Sequence, residues 1–181
     1  MSFYRFFKLN IHEGASTASE TETVRKITNA LDQLEPERAK YIAAFAYLLG
    51  RAARADLNIS QEETRKMEQI VVEYGGLPEE QAVIVIQIAK TQNILFGGTE
   101  NYLVSREFKE MTTHKQRMAL LDCIYAVAAA DESVSTVEDN EISQIADELR
   151  IEHRDFISIR SKYRDSLAVF KKTPKSSSNR T

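Results

Sequence analysis

The stretch Ala55-Asp56-Leu57-Asn58-Ile59-Ser60-Gln61-Glu62-Glu63 recurs 75 positions later as Ala130-Asp131-Glu132-Ser133-Val134-Ser135-Thr136-Val137-Glu138. Over the sixteen aligned positions from Ala55 to Ile70, six are identical (Ala55/Ala130, Asp56/Asp131, Ser60/Ser135, Glu63/Glu138, Gln69/Gln144, Ile70/Ile145). Unrelated stretches of average composition would share about one. Ile59/Val134 and Met67/Ile142 also agree in apolar character. A chain built twice in this way is confined to folds made of two like halves, and 181 residues suit one body containing both. Six Gly and three Pro are too few for the turns of a sandwich or barrel, whereas 43% hydrophobic residues can fill a core. The expected fold class is therefore all-α.

Periodicity places the helices. Val24, Ile27 and Leu31 mark a brief amphipathic helix ending near Leu34. Pro36 stands where proline is tolerated, in the first turn of a helix that Ile42, Phe45, Leu49 and Ala52 carry to about Ala55. Ser60 with Glu63 is a capping box opening a helix that Gly75-Gly76 stops. The run Ala82 to Ala89 reads by propensity as a strand, but its repeat partner, 152–170, spaces Phe156, Ile159, Tyr163, Leu167 and Phe170 helically. A helix buried on most sides is therefore expected from Pro78 to Phe96, and a last helix running to Phe170. A connecting helix at about 100–111 joins the halves. Thr113 with Gln116 caps the next helix, and Ser135 with Glu138 the one after it. The expected architecture is a helical bundle of two pseudo-twofold-related three-helix halves plus the connecting helix. Its parts are a short amphipathic segment (1–11), a flexible linker (12–21), the helical domain (22–170) and a disordered basic tail (171–181).

Charge narrows the partners. With the basic residues of 1–11 and 171–181 set aside, 18 Lys and Arg face 27 Asp and Glu, a net −9 that repels phosphate backbones and counts against nucleic acid. A single cysteine, Cys123, in an apolar run excludes a disulfide framework and any Cys-rich zinc site. No secretory segment follows Met1, and the most apolar runs are about half the length that spans a bilayer, so a cytoplasmic location is expected. Phe3, Phe6 and Phe7, beside Arg5 and Lys8, suit a peripheral contact with an anionic inner-membrane surface or a partner groove; the alternative is packing on the bundle.

The repeated turn has two readings. An aspartate just past a helix C-terminus is disfavoured by the helix dipole unless it accepts nearby backbone N–H bonds. Ser60 and Ser135 would then cap the outgoing helices, with Ile59 and Val134 at the N′ position of a hydrophobic staple, and folding alone would account for every repeated residue. The other reading is a hard-cation site for Ca²⁺ or Mg²⁺, since Asp56, Asn58 and Glu63 in one copy, and Asp131, Ser133 and Glu138 in the other, gather oxygen ligands. It is no EF-hand. Counting from Asp56 or Asp131, position 6 is Gln61 or Thr136 where glycine is needed, and position 12 is Met67 or Ile142 where a bidentate glutamate is needed. His12, His114 and His153 have no metal-ligand spacing, and no phosphate loop or nucleophile elbow is present. No catalysis is expected.

Two copies of an apolar helix ending Ala-Asp, followed by [Ile/Val]-Ser-x-x-Glu, resemble the TerB-like family of tellurite-resistance-associated proteins over about residues 24–170. The resemblance implies an all-helical bundle in a bacterial cytoplasm. It also implies a non-enzymatic scaffolding role linked to stress or metals, with Asp56/Glu63 and Asp131/Glu138 as the acidic pairs. Leu57 and Glu132 stand where the family often has glycine. The expected function is a TerB-type binding module responsive to a divalent cation, and the alternative is a metal-free protein–protein adaptor docking at a membrane surface or partner groove.

Overall fold

The computed structural model describes residues 18–53, 61–95, 101–130 and 133–170. The amphipathic segment 1–11 and the basic tail 171–181 lie outside the described residues. Eight α-helices are described: α1 Ala18–Asp32, α2 Pro36–Ala53, α3 Gln61–Glu73, α4 Glu79–Leu95, α5 Asn101–Met111, α6 His114–Ala129, α7 Thr136–Glu148 and α8 His153–Lys162. Helix α1 begins at Ala18, inside the stretch expected to be linker.

Helix α2 is the axle. Pro36 occupies its first position and every residue from Tyr41 to Gly50 is buried, because the small side chains Ala43, Ala44 and Ala46 let neighbours approach from several directions. It packs against α4, α5, α6 and α7. The rings of Tyr41, Phe45 and Phe108 meet at its side, with centroids 5.5 to 6.4 Å apart. Each such ring or aliphatic chain, fully buried, contributes about 1.5–3 kcal/mol of transfer free energy. The ambiguous run in α4 is helical. From Gln81 to Lys90 only Gln87 is exposed, as α1, α2 and α3 all cover it. Helix α3 packs on α6, and α7 on α2, so each motif-bearing helix of one half leans on the preceding helix of the other.

The helix ends follow the local chemistry. Thr113 Oγ1 accepts the Gln116 N–H at 3.3 Å while Gln116 Oε1 accepts the Thr113 N–H at 2.9 Å, a complete capping box. Gly76 takes a left-handed φ of 65° just after α3. The corresponding end of α7 is a Schellman motif built on an arginine: Arg150 has φ 54°, its N–H bonds Asp147 O at 3.1 Å, and the Ile151 N–H bonds Ala146 O at 3.0 Å.

One expectation is corrected. The last helix does not run to Phe170 but stops at Lys162, followed by 3₁₀ turns at Arg164–Ser166 and Ala168–Phe170. The cause is a long-range backbone pairing. The Val134 N–H bonds Ser166 O at 2.8 Å and the Ala168 N–H bonds Val134 O at 2.9 Å, so Leu167 turns inward beside Val134 and the helix cannot continue.

Candidate functional site

The second copy of the repeated turn carries most of what is described. Ser135 stands in extended conformation before α7. Its Oγ accepts the Glu138 N–H at 3.2 Å and its own N–H donates to Glu138 Oε2 at 2.8 Å. Glu138 is thus held in a reciprocal cap. Val134 is fully buried at N′, but the residue at N4 is Asp139, so Val134 is fixed by the Leu167 pairing rather than by a staple across the first turn. Ser133 is exposed. Asp131, like Asp56, Asn58 and Ser60, lies outside the described residues. Helix α3 begins at Gln61, one residue after Ser60, and Glu63 lies exposed in its first turn. Among the described residues, no three His, Cys, Asp or Glu side chains come together as a metal-holding group.

Asp139, one residue beyond the repeated glutamate, braces two helices. Arg160 of α8 grips it through Nε at 2.9 Å and Nη2 at 2.6 Å, and the Tyr125 hydroxyl of α6 donates to Oδ1 at 2.8 Å. Burial by itself would raise the Asp139 carboxyl, but the donors from Arg160 and Tyr125 outweigh it and hold the group below its usual value. A parallel arrangement lies one turn along: the Tyr163 hydroxyl donates to Asp122 Oδ1 at 2.7 Å, and Lys162 pairs with Asp122 Oδ2 at 2.7 Å. The Tyr125 and Tyr163 rings stack with centroids 5.5 Å apart. Burial, followed by the acceptor carboxylates, pushes both phenols far up.

The most buried of the described ion-paired groups was not singled out in the sequence. Arg51, near the end of α2, has a side chain only 4% exposed. Its Nε meets Glu141 Oε1 at 2.5 Å, and Nη1 and Nη2 meet the two Glu148 oxygens at 2.7 and 3.1 Å. Ser105 of α5, fully buried, donates to the same Glu148 carboxylate, and Gln144 adds a further bond at 3.0 Å. Burial opposes the Arg51 charge, yet the two carboxylates overcome it and hold the guanidinium above its usual value. Burial likewise opposes the Glu148 charge, and Arg51 and Ser105 overcome it, so its carboxyl is depressed. This cluster ties the helix entering the first repeated turn to the helix leaving the second. Its signal in the sequence was a lone arginine between Leu48-Leu49 and Ala52-Ala53 on a helix with no polar face.

Elsewhere the chemistry is plain. His114 pairs with Asp155 at 3.0 Å and His153 leans on Phe156. Cys123 is fully buried and its thiol is pushed up by burial. An open groove of about 460 Å³ beside α3 is lined by Arg65, Glu68, Gln69, Val72 and Glu79. Among the described residues no helix is long and apolar enough to cross a membrane. The family model described as "Tellurite resistance protein TerB" matches residues 42–161, about two thirds of the chain. No curated protein and no solved structure matches it.

Proposed function

The chain belongs to the TerB family, and from that premise we propose that it acts as a non-enzymatic, metal-free scaffold whose repeated acidic turns serve folding while its outer surfaces bind a protein partner. The observation that carries this reading is the engagement of the acids in the second turn: Glu138 is bonded by the Ser135 N–H, and Asp139 by Arg160 and Tyr125. A cation recruiting either carboxylate would compete with donors already in place, at about 1.5–3 kcal/mol for each hydrogen bond to a charged group. Among the shifted groups, Arg51, Glu148, Asp139 and Arg160 lie in pairs that brace helices, and Cys123, Tyr125 and Tyr163 are pushed up chiefly by burial, which favours structural over catalytic use. The family's description connects the scaffold with tellurite resistance, and a bacterial cytoplasmic stress complex is the setting we propose for it.

The test is a thermal melt at constant ionic strength with Ca²⁺, Mg²⁺ or chelator. The expected result is one melting temperature in all three. The competing cation-responsive reading rests on the oxygen ligands Asp56, Asn58 and Glu63 of one turn and Asp131, Ser133 and Glu138 of the other. It requires metal at a hundredfold over its Kd to stabilise the fold by about 2.7 kcal/mol per site. A metal-induced rise that Asp56→Asn and Asp131→Asn abolish would overturn the metal-free scaffold.

A further inference from the structure

Helix α3 packs one side on the core through Val71 and the half-buried Met67 and Ile70. Arg65, Glu68, Gln69 and Val72 stand on its other side at i, i+3, i+4 and i+7, the spacing that aligns side chains along one helix face. These four form one wall of the open groove of about 460 Å³. Gly76, with its left-handed φ of 65°, turns the chain back after α3, and Glu79 at the first position of α4 completes the lining.

The groove thus holds one cation, two carboxylates, an amide and an apolar side chain, with Val72 38% exposed. No hydrogen bond or ion pair joins the side chains of Arg65, Glu68, Gln69 or Glu79 to one another or to any other described residue. Arg65 and Glu68 are within reach of a helix-surface pair and do not form one. This sets the groove apart from Asp122, Asp139 and Glu148, whose carboxylates all hold donors from other helices. Residues 61–80 carry six Glu against Arg65 and Lys66, so the surroundings are negative. Nucleic acid and anionic lipid are repelled there, and cationic side chains are attracted.

The occupant that matches this lining has a basic group for Glu68 and Glu79, a carboxylate for Arg65 and an apolar group for Val72. Its length follows from the wall. Seven residues of helix advance about 10 Å, the span of about three residues of extended chain. A free amino acid is too short to meet both Arg65 and Val72. We propose that the groove between α3 and the start of α4 is the docking site for an extended segment of a protein partner that combines a basic, an acidic and an apolar residue. This assignment rests on the partner-binding reading above and gives that partner its surface.

NMR titration of the full ¹⁵N-labelled chain tests it, with capped peptides Gly-Gly-x-x-x-Gly-Gly that carry Glu, Lys and Leu at the central positions in every order. At least one order is expected to shift the amide signals of α3 and Glu79 saturably at millimolar peptide. Each exposed charge pair is worth up to about fivefold in affinity, so Glu68→Gln/Glu79→Gln should weaken that peptide about tenfold. Arg65→Glu should reverse the preference, so that the peptide with Lys in place of Glu binds better than the original. These side chains face the groove, and an unchanged melt shows that the fold is kept. The proposal is overturned by no saturable shift with any order, or by equal binding of a peptide with Gln at all three central positions. Undiminished binding to Glu68→Gln/Glu79→Gln, an unchanged preference in Arg65→Glu, or the same response to free lysine and glutamate also overturns it. Any of these beside a metal-independent melt removes the groove as the docking site and leaves the metal-free scaffold standing.

Discussion

Replacing Arg51 with methionine removes a side chain that is 4% exposed and reaches two glutamates from another part of the chain. Methionine fills much of the same volume, so the change isolates the charge. Three charge-assisted hydrogen bonds disappear, two to Glu148 and one to Glu141. Glu141, 23% exposed, can turn toward water, but Glu148 is 13% exposed and keeps only Ser105 and Gln144. Breaking one side of a buried ion pair costs about 3–5 kcal/mol, against a total domain stability of about 5–15 kcal/mol. Urea unfolding at pH 7 should therefore show a lower midpoint with an unchanged m-value.

The pH dependence separates this cause from simple loss of packing. In the wild type the folded Glu148 carboxyl lies below its ordinary 4.5 and Asp139 below its ordinary 3.8. Their stability contribution is thus present above those values and lost as pH falls through the folded ones. Without Arg51, burial dominates and raises Glu148, so the folded state takes up a proton before the unfolded chain does and stability increases as pH falls. The slope changes sign. In the variant Arg51→Met/Glu148→Met the orphaned carboxylate is gone, and we expect coupling of about 2–3 kcal/mol, with much of the single variant's loss recovered. A cost below about 1 kcal/mol for Arg51→Met, with a pH slope like that of the wild type, would refute the reasoning.

Three further outcomes are expected. Gly75→Ala should destabilise by about 1–3 kcal/mol in chemical denaturation, because its Cβ would stand 2.5 Å from Val71 O and 3.0 Å from the Phe45 ring. Arg150→Gly should stabilise by up to about 1 kcal/mol, since glycine relieves the left-handed φ of 54° while keeping both Schellman bonds, and a lower urea midpoint would count against it. Cys123 should resist an aromatic disulfide reagent in the folded protein and react at once in denaturant, being fully buried with its thiol pushed up by burial.

What the sequence disclosed was what short-range chemistry determines. Thr113/Gln116 and Ser135/Glu138 are capping boxes because their partners are three residues apart, and Pro36 starts a helix through its own ring. The helical state of α4 followed from its repeat partner, where propensity alone favoured a strand. What stayed hidden depended on partners remote in the chain. Arg51 and Glu148 are 97 positions apart, and Asp139 and Arg160 are 21 apart, with no sequence spacing that announces either pair. Periodicity carried the last helix eight residues too far for the same reason, as Phe156, Ile159, Tyr163, Leu167 and Phe170 are helically spaced until Val134 intervenes. The acids of the repeated turn were legible as a cluster, but Asp139's engagement by Arg160 and Tyr125 was not, because those partners are remote in the chain.

The two copies have diverged where the surroundings differ. Helix α4, covered by α1, α2 and α3, carries Ala82, Val85, Ile86 and Ile88 buried on several faces. Its counterpart α8 packs chiefly on α6 and buries Phe156 and Ile159. Seventy-five positions before Tyr125, Asp139 and Arg160 stand Gly50, Thr64 and Val85, and none of these can form a carboxylate–guanidinium pair. Where a helix is sandwiched, apolar area fixes it without specific bonds. Where one face is open to water, less area is buried, and directional pairs such as Asp139 with Arg160 and Asp122 with Lys162 supply the missing constraint. The same openness that requires those braces leaves Ile157, Val169 and Phe170 at the surface.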